Sequence, residues 1–171
     1  LKKFGEKGNE AAFGEVKQLH ERDAFKPRDA TKLSDKDKKK APDLNLSIEE
    51  KRDGCVKGRG VANGSEQRGD IPKEEAASPT ASLESIILTS VIEAHEGREV
   101  GTCDTPNAFI QTDAEEEDRV TVGLVGETAE SLVKIAPELC RPFITIEKGK
   151  NVSCVEELKA ICGMLKAALL F

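Results

Sequence analysis

The chain has 171 residues, enough for one domain or two small lobes, with 37% hydrophobic residues, 34% charged residues and a net charge of -6. It has no Trp and no Tyr, and Phe supplies all six aromatics, which argues against a base-stacking surface of the kind single-strand binders use. The net charge argues against a free-standing nucleic-acid binder.

The charge is uneven. Residues 1–60 hold 16 Lys+Arg against 12 Asp+Glu, or +4, and residues 61–171 hold 10 against 20, or -10. A basic lobe could touch phosphate and an acidic lobe could hold cations; two solvated surfaces of opposite bias are the plainer reading. Cys55, Cys103, Cys140, Cys154 and Cys162 form no CxxC pair and are odd in number, so neither a disulfide framework nor a zinc site is expected. Reduced thiols in an intracellular, cytoplasmic protein fit best, with no signal peptide and no membrane-spanning run. The chain starts at Leu1 and stops at Phe171 inside an apolar run, and both ends read as cut.

In chain order, residues 8–24 predict an amphipathic helix with Ala12, Val16 and Leu19 on one face, joined by Phe13 and His20. His20 has no ligand or nucleophile nearby and reads as a helix-surface histidine. Pro27 breaks the helix. Ser34 is a candidate N-cap for a charge-dense helix through Lys38, Lys39 and Lys40, whose lysines serve solubility or, less favoured, phosphate contact. Leu44–Ile48 and Cys55–Ala62 read as strands turning at Asp53-Gly54, with a second turn at Asn63-Gly64.

Residues 71–80 read as a connector carrying Ser78-Pro79, and divide the chain into lobes 1–75 and 76–171. Ser82 to Glu96 is the strongest helix, with Leu83, Ile86, Ile87, Val91 and Ala94 on one stripe and Gly97 ending it. His95 sits in its last turn, where the helix dipole favours a cation. Glu99 to Cys103 then predicts a strand delivering Asp104 to a turn at Pro106, with the preceding helix packed on its sheet. Glu115 to Asp118 reads as a solvated acidic turn, with metal binding the lesser alternative. Arg119–Val125, Phe143–Ile146 and Val152–Val155 predict strands, Glu127–Ala136 a helix stopped at Pro137, and Glu156–Phe171 a closing helix interrupted at Gly163.

Asp104-x-x-x-Ala108-Phe109-Ile110 resembles the first catalytic motif of Copia-type retrotransposon reverse transcriptases, where the pattern is Asp, three variable residues, then Ala-Phe-Leu. The flanks add to the likeness. Lys57, Arg59, Val61, Ala62, Gly64 and Gln67 match the family's basic hairpin, with Gly58, Gly60 and Asn63 departing and loosening the strand. Glu75-Ala76-Ala77-Ser78-Pro79 matches its Glu-x-x-Ser-Pro helix start, and Glu115-Glu116-Glu117-Asp118 its acidic run. Of the later Leu-Tyr-Gly-Leu-Lys block only Gly163 survives, with Cys162 in place of Tyr. The close likeness spans residues 55 to 118.

The resemblance implies an α+β fold of fingers plus partial palm, an antiparallel sheet packed by helices. It implies RNA-directed DNA polymerase activity of the intact polyprotein, with an RNA or DNA template-primer and deoxynucleoside triphosphates as partners, in the cytoplasm or a virus-like particle. By resemblance Asp104 is a Mg²⁺ ligand, Phe109 the gate against the ribose 2′ hydroxyl, and Lys57 and Arg59 phosphate contacts. The plainer alternatives are a helix N-cap for Asp104, a core aromatic for Phe109 and a charge-guarded hairpin edge for the two basic residues. Two-metal nucleotidyl transfer needs carboxylates from separate strands, and the family's Tyr-x-Asp-Asp hairpin is missing: the chain contains no Asp-Asp pair. The fragment alone is therefore expected to be inactive. The alternative is a non-catalytic remnant that binds protein, including the rest of its polyprotein. An aspartyl-phosphate reading of Asp104 fails because Pro106 stands where a second Asp belongs, and nothing positions Cys103 with His95.

Overall fold

The computed structural model describes residues 3–69, 71–72 and 80–171. The Glu75–Pro79 match and the expected lobe boundary lie outside the described residues, as do the side chains of Lys39 and Gln67.

The first helix, α1, runs Gly5–Glu21 and buries Gly8, Ala12, Val16 and Leu19 along one face. Those positions recur at three and four residues, so one stripe carries the burial. Phe13 falls off that stripe and stays exposed. Asp23 takes a left-handed φ of 53° and reverses the chain into β1 (Phe25–Arg28). Ser34 caps α2 (Asp35–Lys40), its Oγ accepting from the Asp37 amide. β2 (Leu44–Glu50) and β3 (Val56–Ala62) form an antiparallel hairpin in which Glu50 faces Val56 and Leu44 faces Ala62. Helix α3 (Leu83–Glu96) has Ser82 as N-cap and left-handed Gly97 at its end, where Arg98 N donates to the Glu93 carbonyl.

β4 (Thr121–Val125) leads through Gly126 to α4 (Glu127–Ile135). A short helix α5 (Pro137–Cys140) follows, then β5 (Ile144–Glu147) and β6 (Lys150–Glu157), and α6 (Ala167–Leu170) lies near the C-terminus. β6 is the central strand. β5 and β1 pair with successive halves of one edge, and β4 pairs with the other, all antiparallel. The hairpin joins through an isolated bridge between Asp43 and Gly123. The fold is α+β.

One core cluster holds Val16, Leu19, Phe25, Leu44, Leu124, Leu132, Val155 and Ile161. Each large side chain in it contributes about 2 kcal/mol of hydrophobic stabilisation. β1 and α1 share a core with β4, β6 and α4.

Three expectations are corrected. Residues 98–105 form no strand. A strand needs a ladder partner, and among the described residues every paired strand lies elsewhere. Helix α3 buries none of its residues and packs on no sheet of the described chain. The C-terminal stretch is not one long helix: Glu156 and Glu157 stay in β6, and helix forms only at Ala167–Leu170. The backbone between is used otherwise. The Leu158 carbonyl accepts from Ala114 N, Ala160 N donates to Thr112 O, and the Cys162 carbonyl accepts from Ala62 N at 2.8 Å.

Glycines 58 and 60 also have a different role from the loosening that the sequence implies. A Cβ on Gly58 would lie 2.5 Å from the Ala11 carbonyl oxygen, and Gly60 N donates to Glu15 Oε1 at 2.9 Å. The missing side chains let α1 lie directly on β3.

Candidate functional site

A groove of about 320 Å³ lies between β3 and the segment Asp104–Ile110, with Ile161 and Cys162 at its side. β3 supplies Lys57 and Arg59, whose strand alternation sets them on the face opposite Gly58 and Gly60. Both are exposed. The opposing wall is built by a tight turn. Asn107 takes a left-handed φ of 53°, Ile110 N donates to the Asn107 carbonyl, and Ala108–Gln111 makes one 3-10 turn. Gln111 Nε2 closes it from outside onto the Pro106 carbonyl at 2.9 Å. Ile110 is the buried anchor of this turn.

All four residues singled out from the sequence line this groove: Lys57, Arg59, Asp104 and Phe109. Asp104 is exposed, on unpaired extended chain instead of a strand end. Asp104 caps no helix, since the helical turn that follows begins at Ala108 with Asn107 before it. Phe109 is half-buried and meets Phe171 edge to face, with ring centroids 6.1 Å apart and planes at 86°.

Glu15 and Cys162 also line the groove. Desolvation raises the Cys162 thiol above its ordinary range, with Arg59 opposing and Glu15 adding to the rise. Glu15 was legible only as part of α1; its reach to Gly60 depends on the glycines of β3. Phe171 carried no sequence signal for the site.

The carboxylates of the groove are Asp104 and Glu15, and Glu15 is engaged with the Gly60 amide. Among the described residues no three His, Cys, Asp or Glu side chains gather as metal ligands. Magnesium demands near-octahedral oxygen ligation, and one unengaged carboxylate does not fit it. The acidic turn is likewise no such centre: Asp118 accepts from Lys166 Nζ at 2.8 Å, and Glu115, Glu116 and Glu117 are exposed. Asp113 is tied to Lys159 at 2.6 Å. His20 and His95 stand outside the groove.

One buried carboxyl escaped sequence reasoning. Glu157 is 2% exposed, its Oε1 has no hydrogen-bond partner, and burial pushes its pKa up to about 8. It shares a β6 face with buried Ser153 and Val155. Cys140 and Cys154 are buried, and Cys55, Cys103 and Cys162 are exposed; none is bridged.

Comparison with protein families, with curated proteins and with solved structures finds no match to this chain. Among the described residues no helix is long and apolar enough to cross a membrane.

Proposed function

We propose that this chain is the fingers and partial palm of a Copia-type reverse transcriptase, an RNA-directed DNA polymerase of a retrotransposon polyprotein that is inactive as this fragment. One observation carries the reading. Lys57, Arg59, Asp104 and Phe109, picked from motifs 45 residues apart between Arg59 and Asp104, line a single groove. Two cations, a carboxylate, an aromatic ring and a backbone turn match the needs of a deoxynucleoside triphosphate: charge for the phosphates, a ring edge for the sugar.

Within this chain Lys57 and Arg59 bind the triphosphate, and Phe109 limits the space beside the sugar. Asp104 is one metal ligand of the intact parent. The remaining carboxylates, and hence Mg²⁺ binding and nucleotidyl transfer on a template-primer, belong to sequence beyond this chain.

Primer extension with Mg²⁺ or Mn²⁺ tests the proposal. The chain alone gives no extension. Joined to the downstream product of its parent gene, carrying a Tyr-x-Asp-Asp hairpin, it extends the primer, and Asp104→Asn abolishes the activity. A downstream frame without a carboxylate pair, or extension indifferent to Asp104→Asn, would refute it.

The second reading is a non-catalytic remnant that binds protein. It is favoured by α3, which exposes Leu83, Ile86, Ile87, Leu88, Val91 and Ile92.

A further inference from the structure

The central strand β6 buries a carboxyl that nothing compensates. Among the described residues no ion pair holds Glu157, and its Oε1 has no hydrogen-bond partner. The ladder shows what covers it. Glu157 stands opposite Phe25 of β1, and Val155 opposite Pro27. Leu158 N donates to the Ala24 carbonyl. Lys26 and Arg28 therefore carry the next ladder bonds, and Phe25 and Glu157 form a non-hydrogen-bonded pair, in which facing side chains approach most closely. Phe25, 5% exposed, is thus the lid over the carboxyl. Along the other edge of β6, Glu157 N donates to the Val120 carbonyl and Val122 faces Val155. α1 adds Val16 and Leu19 to this core, and α4 adds Ala129 and Leu132.

The ionisable groups around Glu157 are spent or turned away. Lys26 and Arg28 alternate to the other face of β1, where Arg28 pairs with Glu156. Arg119 donates to the Ala114 carbonyl, Lys159 holds Asp113, and Glu21 pairs with Lys17. His20, Arg22 and Asp23, at the turn from α1 into β1, supply no hydrogen bond to Oε1. A carboxylate formed here has no counter-charge, and burial holds the group in its protonated form.

Ionisation therefore requires water, and the covering elements differ in how readily they admit it. β4 is held on both edges, by β6 and by Gly123 N on the Pro42 carbonyl. β1 is four residues at the sheet edge, with Pro27 inside it. The Arg28–Glu156 pair that fastens it is partly exposed, and such pairs add little. Opening exposes Phe25, so the closed strand dominates while Glu157 keeps its proton. We infer that β1 is a pH-sensitive latch: ionisation of Glu157 releases β1 from β6 and hydrates the carboxylate, while β4, β5, β6 and α4 stay folded.

Hydrogen exchange at single amides of the full chain tests this, read as protection factors from pH 5 to 8 with and without sub-denaturing urea. The expected result is that protection at Lys26 and Leu158 falls roughly tenfold per pH unit across that range and hardly responds to urea. The Leu132 amide of α4 responds strongly to urea, since it exchanges only through global unfolding. Glu157→Gln flattens the pH response at Lys26 and Leu158, with the fold checked by far-UV circular dichroism. If that variant does not fold, the wild-type pH and urea responses decide by themselves. Protection at Lys26 and Leu158 that matches Leu132 in size and urea response overturns the proposal, because β1 then opens only with the whole fold. A flat pH response in the wild type, or one that persists in Glu157→Gln, overturns it equally.

Discussion

Gly163 lies against Ala62 so closely that a Cβ built on it falls 2.1 Å from the Ala62 carbonyl oxygen. Gly163 also takes a φ of +92°, which L side chains avoid. This contact seats Ile161 and Cys162 along the end of β3 and so shapes one side of the groove.

Gly163→Ala therefore meets two obstacles, strain and a backbone collision. It should cost about 3 kcal/mol or more in urea unfolding. Gly149 has a φ of +74° but open space around its Cβ position. Gly149→Ala should cost only about 1 kcal/mol. Equal losses at the two sites would mean that the Ala62 contact is not tight.

A second pair of glycines separates packing from propensity. Gly58→Ala places a methyl 2.5 Å from the Ala11 carbonyl and pushes α1 off β3, at a cost of about 1–3 kcal/mol. Gly14 lies within α1 with nothing inside 4 Å. Gly14→Ala should stabilise the protein by about 0.5–1 kcal/mol through helix propensity. Thermal unfolding of both variants checks the opposite signs.

Glu157 makes stability depend on pH in the unusual direction. Its carboxyl is raised from 4.5 to about 8 in the folded chain, because burial disfavours the charge. Between those values the folded state holds a proton that the unfolded chain has released, so stability falls as pH rises. Below about 4.5 the group is protonated in both states and costs nothing further. Glu157→Gln should flatten the unfolding free energy across that window. Near pH 7 Glu157→Leu should stabilise by on the order of 3 kcal/mol. A wild-type stability that rises from pH 5 to 8, unchanged in Glu157→Gln, would show that Glu157 reaches solvent or a partner.

Much of the architecture was readable in advance because it rests on local rules. Ser34, Ser82 and Gly97 mark helix ends where the sequence predicts them. The hairpin and the Lys148–Asn151 turn region follow turn chemistry, and Pro137 stops α4. Long-range relations were not readable. Glu99–Cys103 has strand-like residues but finds no partner ladder, and residues 158–162 spend their backbone groups on bridges to Ala62, Thr112 and Ala114. Gly58 and Gly60 look like defects in an isolated strand and become requirements only when α1 lies on them. Motif likeness singled out Lys57, Arg59, Asp104 and Phe109, which line one groove, whereas Glu15, Cys162 and the Phe171 ring reach the groove or its aromatic through tertiary packing alone.

On the proposed reading, the groove between β3 and Asp104–Ile110 takes a deoxynucleoside triphosphate. Fluorescence anisotropy with a dye-labelled deoxynucleoside triphosphate, on the chain as it stands, measures this directly. The expected result is saturable, salt-sensitive binding that Lys57→Ala with Arg59→Ala weakens about tenfold to a hundredfold. Binding that ignores the loss of both cations, or no binding at any concentration, would contradict it.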